Sequence, residues 1–204
     1  MKSLAIFLLI GFSLFIFSSC KTSHSLANSS QNDQQILPLK VGDTWVFRYT
    51  HFDTTGAIQK TVYDTLMIST DTLVAGDTWY EFSTHNGRFY TNKPDGLWMM
   101  AGGTYPITPT LLYKYPASVG DSWNTSYANS MTLQVSVEQV NVSLTVPQGK
   151  YPCYEYRTSY NSKPQEDDYF CPGVGFIADD YYSYTNSGRM YKGAHRELVS
   201  VTLK

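Results

Sequence analysis

The vocabulary of common catalytic sites is thin in this chain. Histidine occurs at only four positions, His24, His51, His85 and His195, whose wide spacing defines neither a metal cluster nor a catalytic triad. No Gly-x-Ser-x-Gly elbow, phosphate-cradling glycine loop or His-Glu-x-x-His pair occurs, so the chemistries those motifs serve find no support. Charge is also scarce: charged residues make up 16% and the net charge is −2. Without a basic stripe, nucleic acid is not an expected partner. Cysteine is limited to Cys20, Cys153 and Cys171. The longest apolar run, Leu4 to Phe17, has fourteen residues, short of the about 20 that a membrane-spanning helix requires.

No long segment carries a helical stripe, whereas alternation of period two recurs between turn residues. Aromatic residues reach 15%, with 17 Tyr, and such residues favour strands. The pattern predicts an all-β fold: one antiparallel, strongly curved sheet, a half-barrel or sandwich-like arrangement. Thr44 to Phe52 reads as the first strand, and Thr54-Thr55-Gly56 returns the chain into Ile58 to Ser69. Further turns stand at Asn86-Gly87, Lys93-Pro94-Asp95-Gly96 and Asn186-Ser187-Gly188, and Glu197 to Leu203 closes the sheet.

Two readings are sharper. Apolar residues alternate through Met131, Leu133, Val135 and Val137, then through Val140, Val142, Leu144 and Val146. The change of parity would turn every later side chain to the opposite face, so a β-bulge near Glu138 and Gln139 is expected within one long strand. A turn at Asn161-Ser162-Lys163-Pro164 would fold Tyr151 to Tyr160 onto Asp167 to Cys171, setting Cys153 opposite Cys171. An even cysteine pair in an oxidising compartment is expected to form a disulfide.

Gly-Asp-Thr/Ser-Trp recurs at Gly42 to Trp45, Gly76 to Trp79 and Gly120 to Trp123. It reads as a tight turn followed by a large core anchor and, since the following sequences diverge, not as a tandem repeat. The acidic groups Glu166-Asp167-Asp168 and Asp179-Asp180 lack calcium-loop spacing and read as solvated turns. Trp98-Met99-Met100 and Tyr181-Tyr182-Ser183-Tyr184 could line a groove, although cross-strand packing explains them as well. No catalytic residue, metal ligand, ligand-binding residue or cofactor is assigned.

The amino terminus is more specific. Lys2, the short apolar run and then Phe17-Ser18-Ser19-Cys20 have the layout of a secretory signal, and the ending resembles the lipobox of bacterial lipoproteins. The resemblance implies removal of residues 1–19 and attachment of diacylglyceryl and acyl chains, palmitate among them, to Cys20. Phe17 stands where that family prefers Leu. Two or three chains, each buried methylene contributing about 0.8 kcal/mol, give lasting membrane attachment. The polar segment after Cys20 has too few apolar residues to fold, so residues 20–36 read as a tether reaching about 20–25 Å, and residues 37–204 as a single β-rich domain. Lys21 after the cysteine implies, on the same resemblance, an outer-membrane anchor facing the periplasm of a bacterial cell envelope.

Val146-Pro147-Gln148-Gly149-Lys150-Tyr151 followed by Pro172-Gly173-Val174-Gly175-Phe176-Ile177 resembles a pairing in uncharacterised β-rich envelope lipoproteins, which supply no catalytic residues to carry over. The expectation is a lipid-anchored, non-catalytic envelope protein with a binding or structural role, its partner the membrane through Cys20 and an apolar ligand or envelope protein besides. A carrier or chaperone for a lipid or other apolar ligand is the alternative, and an unrecognised hydrolase the second.

Overall fold

The computed structural model describes residues 35–84, 87–101, 108–127 and 131–204. Cys20, the segment before it, most of the expected tether, His24 and His85 lie outside those residues. Among the described residues there are twelve strands: β1 (Thr44–Phe52), β2 (Ile58–Val74), β3 (Asp77–Phe82), β4 (Arg88–Lys93), β5 (Gly96–Ala101), β6 (Thr110–Lys114), β7 (Ser122–Tyr127), β8 (Met131–Val146), β9 (Gly149–Tyr160), β10 (Lys163–Cys171), β11 (Gly175–Tyr184) and β12 (Met190–Thr202). They form one antiparallel sheet in the order β6-β5-β4-β3-β2-β1-β12-β11-β10-β9-β8-β7. This is the expected curved sheet carried almost to closure, a barrel shape with one unsealed seam between β6 and β7.

Every chain-consecutive pair is hydrogen-bonded except β6 and β7, and the two end strands β1 and β12 pair with each other. At the seam, side chains replace a backbone ladder. The hydroxyls of Thr110 and Thr125 are 2.9 Å apart, and Ser126 N donates to Thr110 Oγ1 at 3.3 Å. Barrels close to remove their edges; here the two edges approach without joining.

The expected bulge is present: the β8–β9 register shifts between Val137 and Gln139 and again before Val142. Leu133, Val135 and Val137 are buried on one side of the shift, and Val140, Val142 and Leu144 pack against the core after it. The β9–β10 register also holds, with Arg157 opposite Asp167 and Tyr154 opposite Phe170. Asn161 and Ser162, at φ 49° and 61°, make the two-residue turn between those strands, the geometry that a right-twisted hairpin favours.

The disulfide expectation is corrected. Cys153 and Cys171 are free, buried thiols. They lie one step beyond the last β9–β10 pair, where β10 turns away and Cys171 pairs with Gly175 of β11. A disulfide needs Cβ atoms about 3.5–4.5 Å apart with converging bonds. The thiols point instead to nearby carbonyls, Cys153 to Tyr151 O of its own strand at 3.6 Å and Cys171 to Pro172 O just past the end of β10 at 3.8 Å. Burial, with the Cys171 charge adding to it, pushes the Cys153 thiol up to about 12, and burial pushes Cys171 up to about 11, so neither is an activated nucleophile.

The Gly-Asp motifs do form turns that open strands, and Trp45 and Trp79 are buried anchors. The two longer copies do more than the tight-turn reading requires. Gly42 N donates to Ile68 O and Ile68 N to Asp43 O; Gly120 N donates to Val137 O and Val137 N to Asp121 O, all at 2.9 Å. Asp43 and Asp121 accept from Lys40 N and Ser118 N, both at 3.0 Å. The segment before each turn also presses on a glycine, Leu37 on Gly175 across the sheet and Tyr113 on Gly96 of the paired strand β5. A Cβ on Gly175 would lie 2.5 Å from Leu37 Cδ1, and one on Gly96 would lie 2.1 Å from Tyr113 O. Strands β1 to β6 and β7 to β12 each form a six-stranded antiparallel meander, and the β1–β12 ladder joins the two.

Candidate functional site

Strand β10 alternates charge between two environments. Glu166, Asp168 and Phe170 face inward, and Asp167 and Tyr169 face outward. Pairing extends the alternation across the sheet: Asp168 lies opposite Asp179 of β11, which lies opposite Arg196 of β12, and in the next inward row Glu166 lies opposite Tyr181. Asp167, Asp168, Asp179 and Asp180 are each at most 9% exposed. These acids occupy strand interiors, and the expectation of solvated turns is corrected. The cause is their place inside the sheet, flanked on either edge by β12 and β9, whose side chains, Arg196, Lys192 and Arg157 among them, cover and pair with these acids.

The inward group gathers three carboxylates, with one oxygen of Glu166, Asp168 and Asp179 all within 4.8 Å of one another. Tyr113 reaches in from β6 and donates to Asp168 Oδ2 at 2.8 Å, and Tyr181 hydrogen-bonds Glu166. Arg196 Nε donates to Asp179 Oδ2 at 2.7 Å. Its guanidinium stacks on Phe176 and Phe47, 4.5 and 5.3 Å from the ring centroids. Asp179 Oδ1 is buried and accepts no hydrogen bond. Arg196 alone does not balance three carboxylates, and Arg88 is a second guanidinium in the wall of the smaller cavity that Glu166 and Asp168 border. Burial above all, then the charges of Glu166 and Asp179, holds Asp168 well above the usual carboxyl range. Burial likewise raises Glu166, and it lifts Asp179 to about 7 against the pull of Arg196.

Outward, the same strands carry a ladder of opposite charges. Arg157 makes a two-pronged contact with Asp167 at 2.7 and 2.9 Å, Tyr182 donates to Asp167 at 2.6 Å, and Asp180 meets His195 and Lys192, each at 2.7 Å. Burial opposes ionisation of Asp180, but those two partners outweigh it and leave its carboxyl below the ordinary value. A flank this charged suits water. A lipid-facing barrel wall needs an apolar band.

The interior is partitioned, because β6 packs across it. Tyr113 lies 4.5 Å from Phe170 and 5.1 Å from Tyr156, centroid to centroid, and Tyr115 lies 5.3 Å from Tyr154. Among the described residues, cavities of about 350 and about 200 Å³ adjoin β6 and share Leu112, Tyr113, Glu166 and Tyr181 in their walls. The larger is otherwise mainly apolar, with Met131, Leu133 and Val135, and its wall includes Thr125 of the seam. The smaller is walled by rings, among them Trp45, Phe82, Tyr90 and Phe176, with Asp168 and Arg196 at one side.

Among the residues singled out in the sequence, Tyr181 reaches this interior, while Tyr182 and Tyr184 turn outward to bond Asp167 and Pro164 O. Met99 is core, and Trp98 binds Asp95 at 2.8 Å. His51 pairs with Ala194, the neighbour of His195, so strand alternation puts the two histidines on opposite faces. Sequence reasoning missed Tyr113, Arg196 and the inward role of Glu166, Asp168 and Asp179. The available signal was the parity of Glu166 and Asp168 with Phe170 on one strand.

The inward carboxyls give the protein a pH dependence of definite sign. Aspartate at 3.8 when unfolded and about 7 at Asp179 when folded means that the folded state holds more protons between those values. That contribution is complete below pH ~4 and is lost as pH rises through ~7. Asp180 is shifted the other way, and its effect is confined to the acid side of the ordinary carboxylate value. With divalent cations chelated, the melting temperature should fall from pH 4.5 to 8, and Asp179→Asn should flatten that slope. A wild-type melting temperature that rises over the range would contradict the assignment. No protein-family model matches this sequence, and neither a curated protein nor a solved structure matches it.

Proposed function

We propose that this is a lipid-anchored, non-catalytic binding protein of the bacterial envelope, tethered through Cys20, whose barrel interior takes up a small, largely apolar ligand by way of the β6–β7 seam. The observation that carries this reading is the pair of adjoining interior cavities, about 350 and 200 Å³, walled by aliphatic and aromatic side chains with a few convergent polar groups. Binding pockets have that composition and generally measure about 300–1,000 Å³. A purely structural barrel would fill such space, because interiors pack to crystal density.

The carrier reading is preferred to a hydrolase by the chemistry of the walls. Among the described residues neither cavity is lined by histidine or cysteine, and the inward acids are tied to one another, to tyrosines and to Arg196. No activated nucleophile accompanies them.

Native mass spectrometry of the protein isolated from its own envelope tests both parts. The folded protein should carry a ligand mass that is released on unfolding, and the amino-terminal peptide should begin at Cys20 with a diacylglyceryl adduct. Protein that carries no ligand, and that shows no saturable binding of Nile red, would refute the interior-binding reading. An amino-terminal peptide without acyl mass would refute the anchor.

A further inference from the structure

We infer that Glu166, Asp168 and Asp179 form a binding site for one hard divalent cation, of the calcium and magnesium class, inside the barrel. Their nearest oxygens lie within 4.8 Å of one another. Oxygens on opposite sides of a cation with bonds of about 2.3–2.6 Å are separated by about that distance, so the three side chains can close on an ion with small rotations.

The hydrogen bonds around the group are those that a cation site uses. Each carboxylate accepts from a donor outside the trio, Asp168 Oδ2 from Tyr113, Asp179 Oδ2 from Arg196 and Glu166 from Tyr181, while Glu166 and Asp168 also hydrogen-bond each other through a proton that a cation between them would displace. Outer donors of this kind orient carboxylate ligands and leave the remaining oxygen for the metal. At Asp179 that remaining oxygen is identified directly: Oδ1 is buried in a residue of 0% exposure and has no partner. An acceptor left so costs about 1–3 kcal/mol, and more when charged. A cation between the carboxylates satisfies it.

Charge points the same way. Ionised together, three carboxylates outnumber the guanidinium bonded to them, Arg196, even with Arg88 at the wall of the same cavity, and a divalent ion offsets that excess. An all-oxygen set without histidine or cysteine selects calcium, magnesium or manganese over zinc. Glu166 borders both cavities and Asp168 the smaller, so water can reach the site and complete the coordination. The inference does not depend on an apolar ligand occupying those cavities, since its readout is the metal alone.

The mature, chelator-treated protein is titrated with Tb³⁺, exciting tyrosine, and then with Ca²⁺ and Mg²⁺. Tyr113 and Tyr181 touch the carboxylates, so bound Tb³⁺ should luminesce strongly and Ca²⁺ should quench that emission by displacement. Ca²⁺ should also raise the melting temperature by mass action. Asp168→Asn and Asp179→Asn should each lose the emission and the thermal shift. Absence of both signals in the wild type overturns the site, as does their persistence in both variants, which would place the ion on the outer carboxylates. If circular dichroism shows an Asn variant unfolded, Tyr113→Phe, which keeps all three carboxylates, decides: binding weakened about 10–100-fold supports the site, as expected for loss of an outer partner, and unchanged affinity overturns it.

Discussion

Replacing Arg196 with Met should cost about 3–5 kcal/mol of folding stability, the penalty for leaving a buried carboxylate without its counter-ion. Asp179 has no exposed side-chain surface, and among the described residues the Arg196 guanidinium is the cation bonded to it. Arg196 also lies over the faces of Phe47 and Phe176, and loss of those contacts adds about 0.5–2 kcal/mol. Lysine should not rescue the variant, because a point charge reproduces neither the fork nor the stacking. Adding Asp179→Asn to Arg196→Met should recover a large part of the loss, since the unpaired charge leaves with its partner. Urea denaturation of the two single variants and the double variant, with divalent cations chelated, measures the cycle. A single Arg196→Met cost below about 1 kcal/mol, the range of an exposed ion pair, would show that the pair is solvated and that the inward assignment is wrong.

The second large effect is expected at the seam. Thr110 and Thr125 approach to 2.9 Å through their hydroxyls, and cysteines at both positions should cross-link on oxidation. The bridge closes a loop of about 15 residues, for which the chain-entropy model gives about 3 kcal/mol of added stability. Its functional consequence separates this seam from an incidental gap. The larger cavity is walled by residues of β6, β7 and β8, so a seam held shut should slow Nile red uptake and release about tenfold or more, as locking a gating segment does. Reduction should restore wild-type exchange. Oxidised protein that exchanges at the wild-type rate would exclude the seam as the portal while leaving the stability gain intact.

The legible parts of this fold were those written in local pattern. The parity change after Val137 announced the β8 bulge, and the Asn161-Ser162 turn, with a one-residue shift after Pro164, led to the expected β9–β10 pairs from Glu166 to Phe170. Even so, a correct register did not ensure a disulfide at Cys153 and Cys171, because β10 leaves the ladder at Phe170. The β1–β12 pairing joins residues far apart in the chain, as Trp45 with Val201, and alternation alone cannot specify a long-range partner. The site was harder to see for the same reason. Asp168, Asp179 and Arg196 align only after a bulge between Tyr169 and Phe170 has reset the β10–β11 register. Tyr113 arrives from the other meander, across the interior. A polar residue on a strand reads as solvated until the strands beside it are known.

The pairing of the two end strands also has a consequence for how the chain folds. All the other ladders join neighbours along the chain, so each meander can assemble from short hairpins at little loop-closure entropy. The β1–β12 ladder alone must bring the two ends of the domain together. It belongs to the docking of two preformed halves rather than to the growth of either. Residues along it, such as Val46 and Ser200, should therefore form their contacts after the folding transition state and govern chiefly the rate of unfolding.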